Sequence, residues 1–456
     1  MDQRLIDELR RAVAPERVLT TPEDLTVYAY DGTWLESRPD VAVVAASAAE
    51  VAATLRLANR EGIPVVPRGA GSGLAGGAVP ARGGIVLSMT LMRRIVEIDT
   101  VDMVAVAEAG VVNATLQAAV EAKGFFYPPD PASLRQSTIG GNVATSASGP
   151  RCLKYGGTKD YLLALQVVLP DGTIIRTGGR MIKSVAGYNL AQLFTGSEGT
   201  LGVIAEATVR IIPLPKARGT AMAVFPRLDD AGEAVTTLLG AGVVPLALEM
   251  MDQTAIRCVE EYLQAGLPVD AEAILLVDVD GDETAVAEQL ALVADAFAQS
   301  GAAQVQRAAT KAEADVLWAA RRAVSPSLAR LKPNKLGEDI SVPRSAIPGM
   351  VRGVAGIAKR HDLVIPLFGH IGDGNLHPNI VCDLRDKEEM ARVIAAAREI
   401  FALALSLGGT LSGEHGIGLL KREFLAGGVD PGALALMKAI KATVDPKGIM
   451  NPGKVY

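Results

Sequence analysis

The most restrictive feature of this sequence is the density of glycine in residues 68–78, which contain five glycines. Residues 71–76 match the G-x-G-x-x-G spacing of a dinucleotide-binding loop. In a Rossmann fold that loop opens a helix whose N-terminus meets a pyrophosphate, but the Gly- and Pro-rich residues 76–84 do not support a helix. We therefore predict an extended loop whose backbone N–H groups bind phosphate oxygens, assisted by Arg68 and Ser72. The alternative, a plain surface turn, does not need so many glycines.

Length and composition limit the class of protein. With 456 residues the chain is too long for one compact core, so two or more domains are expected. The net charge is −6 without a basic block, which argues against a nucleic-acid partner. No apolar run approaches the roughly 20 residues of a membrane span, and the N-terminus begins with a charged amphipathic helix rather than a signal peptide. The three cysteines are far apart and form no zinc or iron–sulfur motif, which fits a reducing cytoplasm.

Strand and helix patterns alternate through the first half of the chain. Residues 41–44 and 64–67 are typical of strands, and residues 48–61 of an amphipathic helix between them. A further helix is predicted for residues 113–123, with Asn113 as its N-cap. Asp171-Gly172 predicts the turn of a β-hairpin.

A Pro-rich boundary at residues 213–215 separates the two halves. After it, residues 221–245 and 273–306 each follow the pattern strand, long helix, strand. This order predicts an α+β domain built on an antiparallel sheet. A long helix is expected at residues 388–407, and the turn-rich residues 445–454 are typical of a tail that folds back on a binding site.

Histidine is scarce, yet three of the four histidines fall within 46 residues and in glycine-rich surroundings. His370 and His377 flank Asp373-Gly374, which is a strong signal for a two-residue hairpin turn. That turn would pair residue 370 with residue 377 and place their Cβ atoms roughly 4.5–5.5 Å apart. We interpret the pair as two ligands for a divalent metal, the alternative being two structural histidines in a β-ribbon.

The third histidine lies in L-S-G-E-H-G-I-G, where glycines flank Glu414 and His415. Glu414 could complete a set of two histidines and one glutamate, which is typical of a catalytic metal site. Adjacent side chains on a strand point in opposite directions, so only one of the two residues needs to bind the metal. His415 is then available as an acid or base.

Three motifs, in this order, resemble the vanillyl-alcohol-oxidase type of FAD-binding fold. They are P-R-G-A-G-S-G from Pro67, T-I-G-G-N-V-A from Thr138, and G-S-E-G-T-L-G from residue 196. The resemblance implies an α+β fold with a PCMH-type FAD-binding domain of two subdomains and an α+β cap domain, with an antiparallel sheet, that binds the substrate. The residues that it places around FAD are Pro67, Arg68, Gly69, Ala70, Gly71, Ser72, Gly73, Gly76, Gly77, Pro131, Ser133, Thr138, Gly140, Gly141, Asn142, Thr145, Glu198, Gly199, Gly202, Ile204 and Asn451.

The resemblance also bears on the domain division and on the attachment of the flavin. We expect residues 1–214 to bind FAD, residues 215–440 to form the cap domain with the metal site, and residues 441–456 to return to the FAD domain. Many members of this fold attach the flavin through a histidine after the R-G-x-G run. Ser72 takes that position here and no histidine precedes His361, so the FAD is expected to be non-covalent.

The histidine motifs resemble the D-2-hydroxy acid dehydrogenase branch of the same family, which includes D-lactate dehydrogenases, the flavin subunit of glycolate oxidase and D-2-hydroxyglutarate dehydrogenase. The resemblance covers essentially the whole chain. It implies that His370, His377 and Glu414 bind one divalent metal, usually zinc, and that His415 is the catalytic base.

Substrate recognition is also implied by this resemblance. W-A-A-R at residues 318–321 is similar to the substrate-arginine segment, so Arg321 would bind the C1 carboxylate, for which a guanidinium is suited. Its neighbour Arg322 stays an alternative. Ser325 and Lys335 fall near positions that contact the second carboxylate in the hydroxyglutarate enzymes, but Lys335 lies two residues out of register.

The expected reaction is oxidation of a small D-2-hydroxy acid, with D-lactate or glycolate favoured, to the 2-oxo acid. The hydride would go to flavin N5 after His415 removes the hydroxyl proton. Because the chain has no cluster motif, the acceptor is external: an electron-transfer flavoprotein, an iron–sulfur subunit, a cytochrome or a quinone. A homodimer and attachment to a membrane through a partner stay open.

There are three alternatives to this reaction. The first is a D-2-hydroxyglutarate dehydrogenase. The second is a non-redox FAD enzyme, such as an alkyl-ether lipid synthase, which would not need the His370/His377 pair, or a non-catalytic assembly subunit, which could lack Arg321 and His415. The third, a vanillyl-type phenol oxidase, is disfavoured because aromatic residues make up only 4% of the chain.

Overall fold

The computed structural model describes residues 1–456, and these form two compact units. Unit 1 consists of Met1–Ser148, Gly156–Leu214 and Glu414–Tyr456, and unit 2 of Gly149–Tyr155 and Pro215–Gly413. None of the helices combines the length and the apolar character required to cross a bilayer.

Unit 1 contains two main sheets. In the first, Val18–Leu19, Val41–Val44, Ile85–Ser88 and Val65–Arg68 lie side by side in that order, and the last three strands are parallel. In the second, the antiparallel order is Ile95–Asp99, Val104–Glu108, Val203–Arg210, Leu162–Val168 and Ile174–Gly178. Phe125–Phe126 and Ile212–Pro213 form a two-stranded ribbon.

The helices of unit 1 follow ordinary capping rules. Ala48–Glu61 begins after Ser47, whose side chain accepts the Glu50 N–H, and ends at Gly62 with φ +68°. The remaining helices of this unit are Gln3–Ala12, Pro22–Thr26, Asn113–Glu121, Ile139–Thr145, Thr158–Tyr161, Leu190–Phe194, Leu425–Gly428 and Pro431–Val444, with 3₁₀ turns at Pro15–Arg17 and Arg422–Phe424.

Two sequence expectations for this unit have clear outcomes. Residues 69–84 contain no helix, which confirms that the glycine segment is not a Rossmann loop. The assignment of Asn113 as an N-cap was wrong, because Val112 holds that position and Asn113 is the first helical residue. The Asn113 side chain is buried instead, where it donates to Pro129 O at 3.0 Å and accepts from Asn142 at 3.1 Å.

Unit 2 is built on one large antiparallel sheet, as the sequence predicted. Its strand order is Gln304–Arg307, Ala217–Phe225, Ala273–Gly281, Ala247–Asp252, Leu367–His370, Asn375–Cys382 and Asn334–Gly337, and Ile340–Ser341 also pairs with Asn375–Cys382. The helices are Cys152–Tyr155, Leu228–Gly240, Gln253–Leu263, Glu283–Gln299, Lys311–Ser327, Ile347–His361 and Lys387–Ser406, with 3₁₀ turns at Leu328–Arg330, Arg344–Ala346 and Ile371–Asp373.

The histidine hairpin has a different register from the predicted one. His370 lies opposite Asn375, and His377 lies opposite Phe368. The cause is the loop, which runs over residues 371–374 as a 3₁₀ turn that ends at Gly374 with φ +82°. Because the register is offset by two residues, the period of the strand keeps both histidines on one face.

We expect Gly374→Ala to destabilise unit 2, because a Cβ there would clash with Val342 O and force a side chain into the left-handed region. The left-handed strain alone costs about 1–2 kcal/mol, which corresponds to a fall of roughly 2–8 °C in the thermal midpoint, and the clash adds to this fall. Gly240→Ala is the control, since a Cβ at that helical position meets no atom within 4 Å. Equal midpoints for the two variants would contradict this account of the loop.

Candidate active site

The Arg68 side chain packs against the glycine segment of unit 1. This side chain is buried, donates to Tyr30 O at 2.7 Å and packs over the Tyr28 ring at 5.8 Å. A Cβ at Gly71 would clash with the Arg68 guanidinium, so the glycine permits this packing. Burial lowers the pKa of Arg68.

The other side of the segment has room for a ligand. A Cβ at Gly73 would meet no atom within 4 Å, whereas one at Gly69 would clash with Thr138 Oγ1. The glycines of this segment therefore serve two purposes, close packing on one side and open backbone on the other. Open backbone N–H groups of this kind fit a phosphate group.

The second predicted cofactor motif forms a short helix over Ile139–Thr145. Thr138 caps it by accepting the Gly141 N–H at 3.3 Å, and Thr145 Oγ1 donates to Gly141 O at 3.1 Å. A Cβ at Gly140 would lie 2.5 Å from Ala109 Cβ, so the motif packs directly on the preceding sheet. Pro131 and Ser133 form the turn before it, where their carbonyls accept the Leu134 and Ser137 N–H groups at 2.8 Å.

The C-terminal tail ties two of the predicted cofactor motifs together. Asn451, held at φ +43°, donates to Gly77 O at 3.0 Å and to Glu198 O at 2.7 Å. Lys454 is buried beside it and donates to Val79 O at 2.7 Å and to Asn451 Oδ1 at 2.8 Å. Burial lowers the pKa of Lys454 to about 8. The sequence analysis did not name Lys454 as a site residue, although it predicted that the turn-rich tail containing it folds back on a binding site.

In unit 2 the two hairpin histidines lie together and are buried. The ring centroids of His370 and His377 are 5.2 Å apart, with the rings nearly perpendicular. His370 Nδ1 is 2.6 Å from Glu249 Oε1, and His377 Nδ1 is 3.7 Å from Asp339 Oδ1. Each imidazole therefore has a carboxylate at its Nδ1 side.

Glu249 was missed in the sequence analysis. It lies in the strand Ala247–Asp252 between the apolar residues Leu248 and Met250, and it is 1% exposed. The sequence feature that could have identified it is a glutamate among apolar strand residues. A glutamate is almost never fully buried unless it is paired, so this feature indicates a buried partner. Burial would raise the pKa of Glu249, but the attraction of His370 and Arg321 outweighs this effect, and the pKa is lowered.

Arg321 is the second partner of Glu249. Its Nη2 is 2.6 Å from Glu249 Oε2, and its guanidinium lies over the Phe368 ring at 5.0 Å. Arg321 Nε is buried and has no hydrogen-bond partner. The alternative residue, Arg322, is exposed. The structure thus groups Arg321 with the histidine pair through one carboxylate.

Ser325 and Lys335 also lie together. Ser325 follows Arg321 by one helical turn in Lys311–Ser327, and Lys335 lies in the strand Asn334–Gly337. The Lys335 ammonium contacts Ser325 Oγ and lies 3.2 Å from Ser325 O. Burial lowers the pKa of Lys335.

Glu414 and His415 open the last segment of unit 1, directly after Gly413 in the chain. The backbone that follows them is fixed by Glu198, whose carboxylate accepts the Ile417 and Gly418 N–H groups, each at 2.8 Å. In unit 2, Asp339 accepts from Ser412 Oγ and from Asn375 Nδ2, both at 2.7 Å. The backbone is therefore held on both sides of the Glu-His pair.

Known proteins resemble this chain over its whole length. Family models described as "FAD binding domain" and "FAD linked oxidases, C-terminal domain" match residues 39–178 and 214–455. The chain is 42% identical to glycolate oxidase subunit GlcD of Bacillus subtilis (strain 168), over 99% of this chain and 96% of that protein. It is 36% identical to D-lactate dehydrogenase of Anaerostipes hadrus, over 98% and 96%. Its fold matches a crystal structure of p-cresol methylhydroxylase with substrate bound, with a TM-score of 0.83 and 18% identity over 99% of this chain and 96% of that one.

We expect Glu249→Gln and Arg321→Met each to destabilise unit 2, because each removes the ion pair between these two residues. Breaking a buried ion pair costs about 3–5 kcal/mol. The double variant should lose less than the sum of the single variants, as measured by urea unfolding in a double-mutant cycle. Glu261→Gln, at an exposed helical position, is the control. Additive losses, or a Glu249 variant as stable as the control, would contradict the pairing.

Proposed function

Since this chain belongs to the FAD-linked oxidases, we propose that it oxidises a small D-2-hydroxy acid to the 2-oxo acid, with D-lactate and glycolate as the favoured substrates. The proposal rests mainly on the buried Nε of Arg321, a guanidinium donor without an acceptor that lies next to the histidine pair. A substrate carboxylate is the natural acceptor for such a group. The names of the two relatives, a glycolate oxidase subunit and a D-lactate dehydrogenase, support the same substrate class.

FAD, when bound, supplies the acceptor for the hydride that leaves Cα of the substrate. We propose that the backbone of residues 69–77 and the motifs at residues 138–145 and 198–204 bind it. Attachment is non-covalent, because no histidine precedes His361. The division into residues 1–214, 215–440 and 441–456 is part of the same proposal.

The chain's own residues have three roles in the proposed reaction. Arg321 binds and orients the carboxylate, with Glu249 fixing one side of the guanidinium. His415 takes the proton from the 2-hydroxyl group, since removal of that proton makes loss of the hydride far easier. Burial of the Arg321 Nε atom and of the histidine pair excludes water, which strengthens these polar interactions.

His370, His377 and Glu414 would hold one divalent metal, with zinc as the favoured ion. Such an ion, when bound, supplies a Lewis acid that lowers the pKa of a hydroxyl group. The donor chemistry fits, because Glu249 binds His370 at Nδ1, so a metal would bind this ring through Nε2. A carboxylate behind a metal-binding histidine is the usual arrangement.

The electrons then pass to an external acceptor, which we propose is an electron-transfer flavoprotein, an iron–sulfur subunit, a cytochrome or a quinone. The chain contains three cysteines at widely separated positions and no motif for a cluster of its own. The Bacillus subtilis relative is named as a subunit, which supports assembly with another chain.

A second candidate substrate is a D-2-hydroxy dicarboxylate such as D-2-hydroxyglutarate. It is favoured by one observation, the half-buried Lys335 beside Ser325, one helical turn from Arg321. A second carboxylate could bind there. Relative kcat/KM values for D-2-hydroxyglutarate, D-lactate and glycolate decide between the two candidates.

We expect the purified protein to be yellow, to release all of its flavin in acid, and to bleach anaerobically with D-lactate or glycolate. His415→Asn should bind FAD but bleach at least ~10²-fold more slowly, which is the usual contribution of a general base. His361→Asn is the matched control, because His361 binds Glu399 at 2.8 Å on a separate helix pair. A colourless protein, or a His415→Asn variant as fast as the control, would contradict the proposal.

We expect about one divalent ion per chain by elemental analysis. His377→Ala should lower the metal affinity by more than tenfold, because it removes one of three ligands, and chelation should slow bleaching of the wild-type protein. His361→Ala should retain the ion. Full activity in a metal-free wild-type protein would rule out this role of the histidine pair.

A further inference from the structure

Glu198 in unit 1 has an unusual backbone and a fully engaged carboxylate. Its φ is +52°, a left-handed conformation that non-glycine residues seldom adopt and that clusters at functional sites. Oε1 accepts the Ile417 N–H and Oε2 accepts the Gly418 N–H, both at 2.8 Å. One side chain therefore fixes two successive backbone groups, and these follow His415 by two and three residues.

The segment that Glu198 holds is shaped for this contact. Gly416 and Gly418 have φ values of +88° and +49°. A Cβ at Gly416 would lie only 2.9 Å from Glu198 Oε1, so a larger residue there would push the carboxylate away. The glycine next to His415 thus allows the carboxylate to reach the two N–H groups.

Glu198 is itself held at both ends of its backbone. Its N–H donates to Ala144 O at 2.8 Å, and its carbonyl accepts from Asn451 Nδ2 at 2.7 Å. Burial raises the pKa of Glu198, while the two N–H donors and Lys454 oppose this effect. A side chain held in this way fixes the position of the groups that its carboxylate binds.

The same segment is attached to the glycine-rich loop. Leu419 N–H donates to Ala75 O at 2.8 Å, and Asn451 joins Gly77 to Glu198. Movement of the Glu198 carboxylate would therefore free the N–H groups of Ile417 and Gly418, while their carbonyls still accept from Lys421 and Val455 at 3.1 and 3.0 Å. This separates an effect on the segment from a general loss of the fold.

We propose that Glu198 is a positioning residue for His415, in that its carboxylate fixes the backbone after the base through the Ile417 and Gly418 N–H groups. The proposal rests on the proposed function of His415. It assigns the Glu198 side chain to the protein's own loop, where the family resemblance gave it only a place beside the cofactor.

The test uses the FAD-loaded full-length protein. In Glu198→Gln, one oxygen becomes an NH₂ group that faces an N–H donor, so one of the two hydrogen bonds is lost. We expect residues 414–420 to exchange amide hydrogen at least about tenfold faster by mass spectrometry. We also expect the rate constant of flavin reduction per bound FAD to fall about 10–100-fold, because misplacement of a reacting group by about 1 Å costs that much, with KM changed less than threefold.

Two further variants complete the design. Gly416→Ala should reproduce both effects from the other side of the contact, with Glu198 intact. Glu50→Gln is the control, since Glu50 is a partly buried glutamate of unit 1 that accepts the Ala46 N–H at 2.8 Å and binds Arg17. It should leave exchange in residues 414–420 and the reduction rate unchanged.

The outcomes are distinct. Unchanged amide exchange in residues 414–420 of Glu198→Gln would overturn the proposal that Glu198 fixes this segment. Loss of FAD without faster exchange would also overturn it and would make Glu198 a cofactor contact. Faster exchange with an unchanged reduction rate would overturn its link to His415. If the wild-type protein is reduced by none of the hydroxy acids, the proposed function fails, and the exchange comparison alone then decides whether Glu198 fixes the segment.

Discussion

A single buried carboxylate organises the polar centre of unit 2. Glu249 lies in an apolar strand, where an isolated charge would be very unfavourable, so it has to be paired. It is shared by His370 and Arg321, each at 2.6 Å. Because one anion restrains both groups, the imidazole and the guanidinium have fixed orientations before any substrate arrives. Preorganised polar groups of this kind lower the cost of reorganisation during a reaction.

In unit 1 a carboxylate likewise restrains two groups, but these are backbone N–H groups and not cations. The Glu198 carboxylate binds two N–H groups, and the glycine at position 416 leaves the space that this contact needs. In the glycine-rich loop, Gly71 similarly leaves the space that the Arg68 guanidinium occupies. In both cases a charged side chain packs against irregular backbone, and the missing side chain of a glycine permits the approach. The glycine density of the sequence therefore reflects packing as well as ligand access.

Periodicity and motif order predicted the fold class, the large antiparallel sheet and the absence of a Rossmann helix. The errors lie where tertiary contacts override local rules. Asn113 has the chemistry of an N-cap, but a buried contact with Asn142 uses its side chain. Asp373-Gly374 is a good two-residue turn, yet the chain forms a longer loop. The predicted pairing of His370 with His377 was wrong, and only the two-residue period of a strand keeps both histidines on one face. Glu249 and Lys454 belong to no motif, and only the fold shows what they bind.

The electrostatics of Lys335 bear on the choice between one and two carboxylates in the substrate. A site rejects a smaller substrate strongly when that substrate leaves a buried polar group unpaired. Lys335 already contacts Ser325 Oγ and Ser325 O, so its ammonium keeps hydrogen-bond partners when no second carboxylate is present. Arg321 differs, because its buried Nε lacks an acceptor within the protein. This difference supports the proposal of a small monocarboxylate substrate, such as D-lactate or glycolate, over a dicarboxylate.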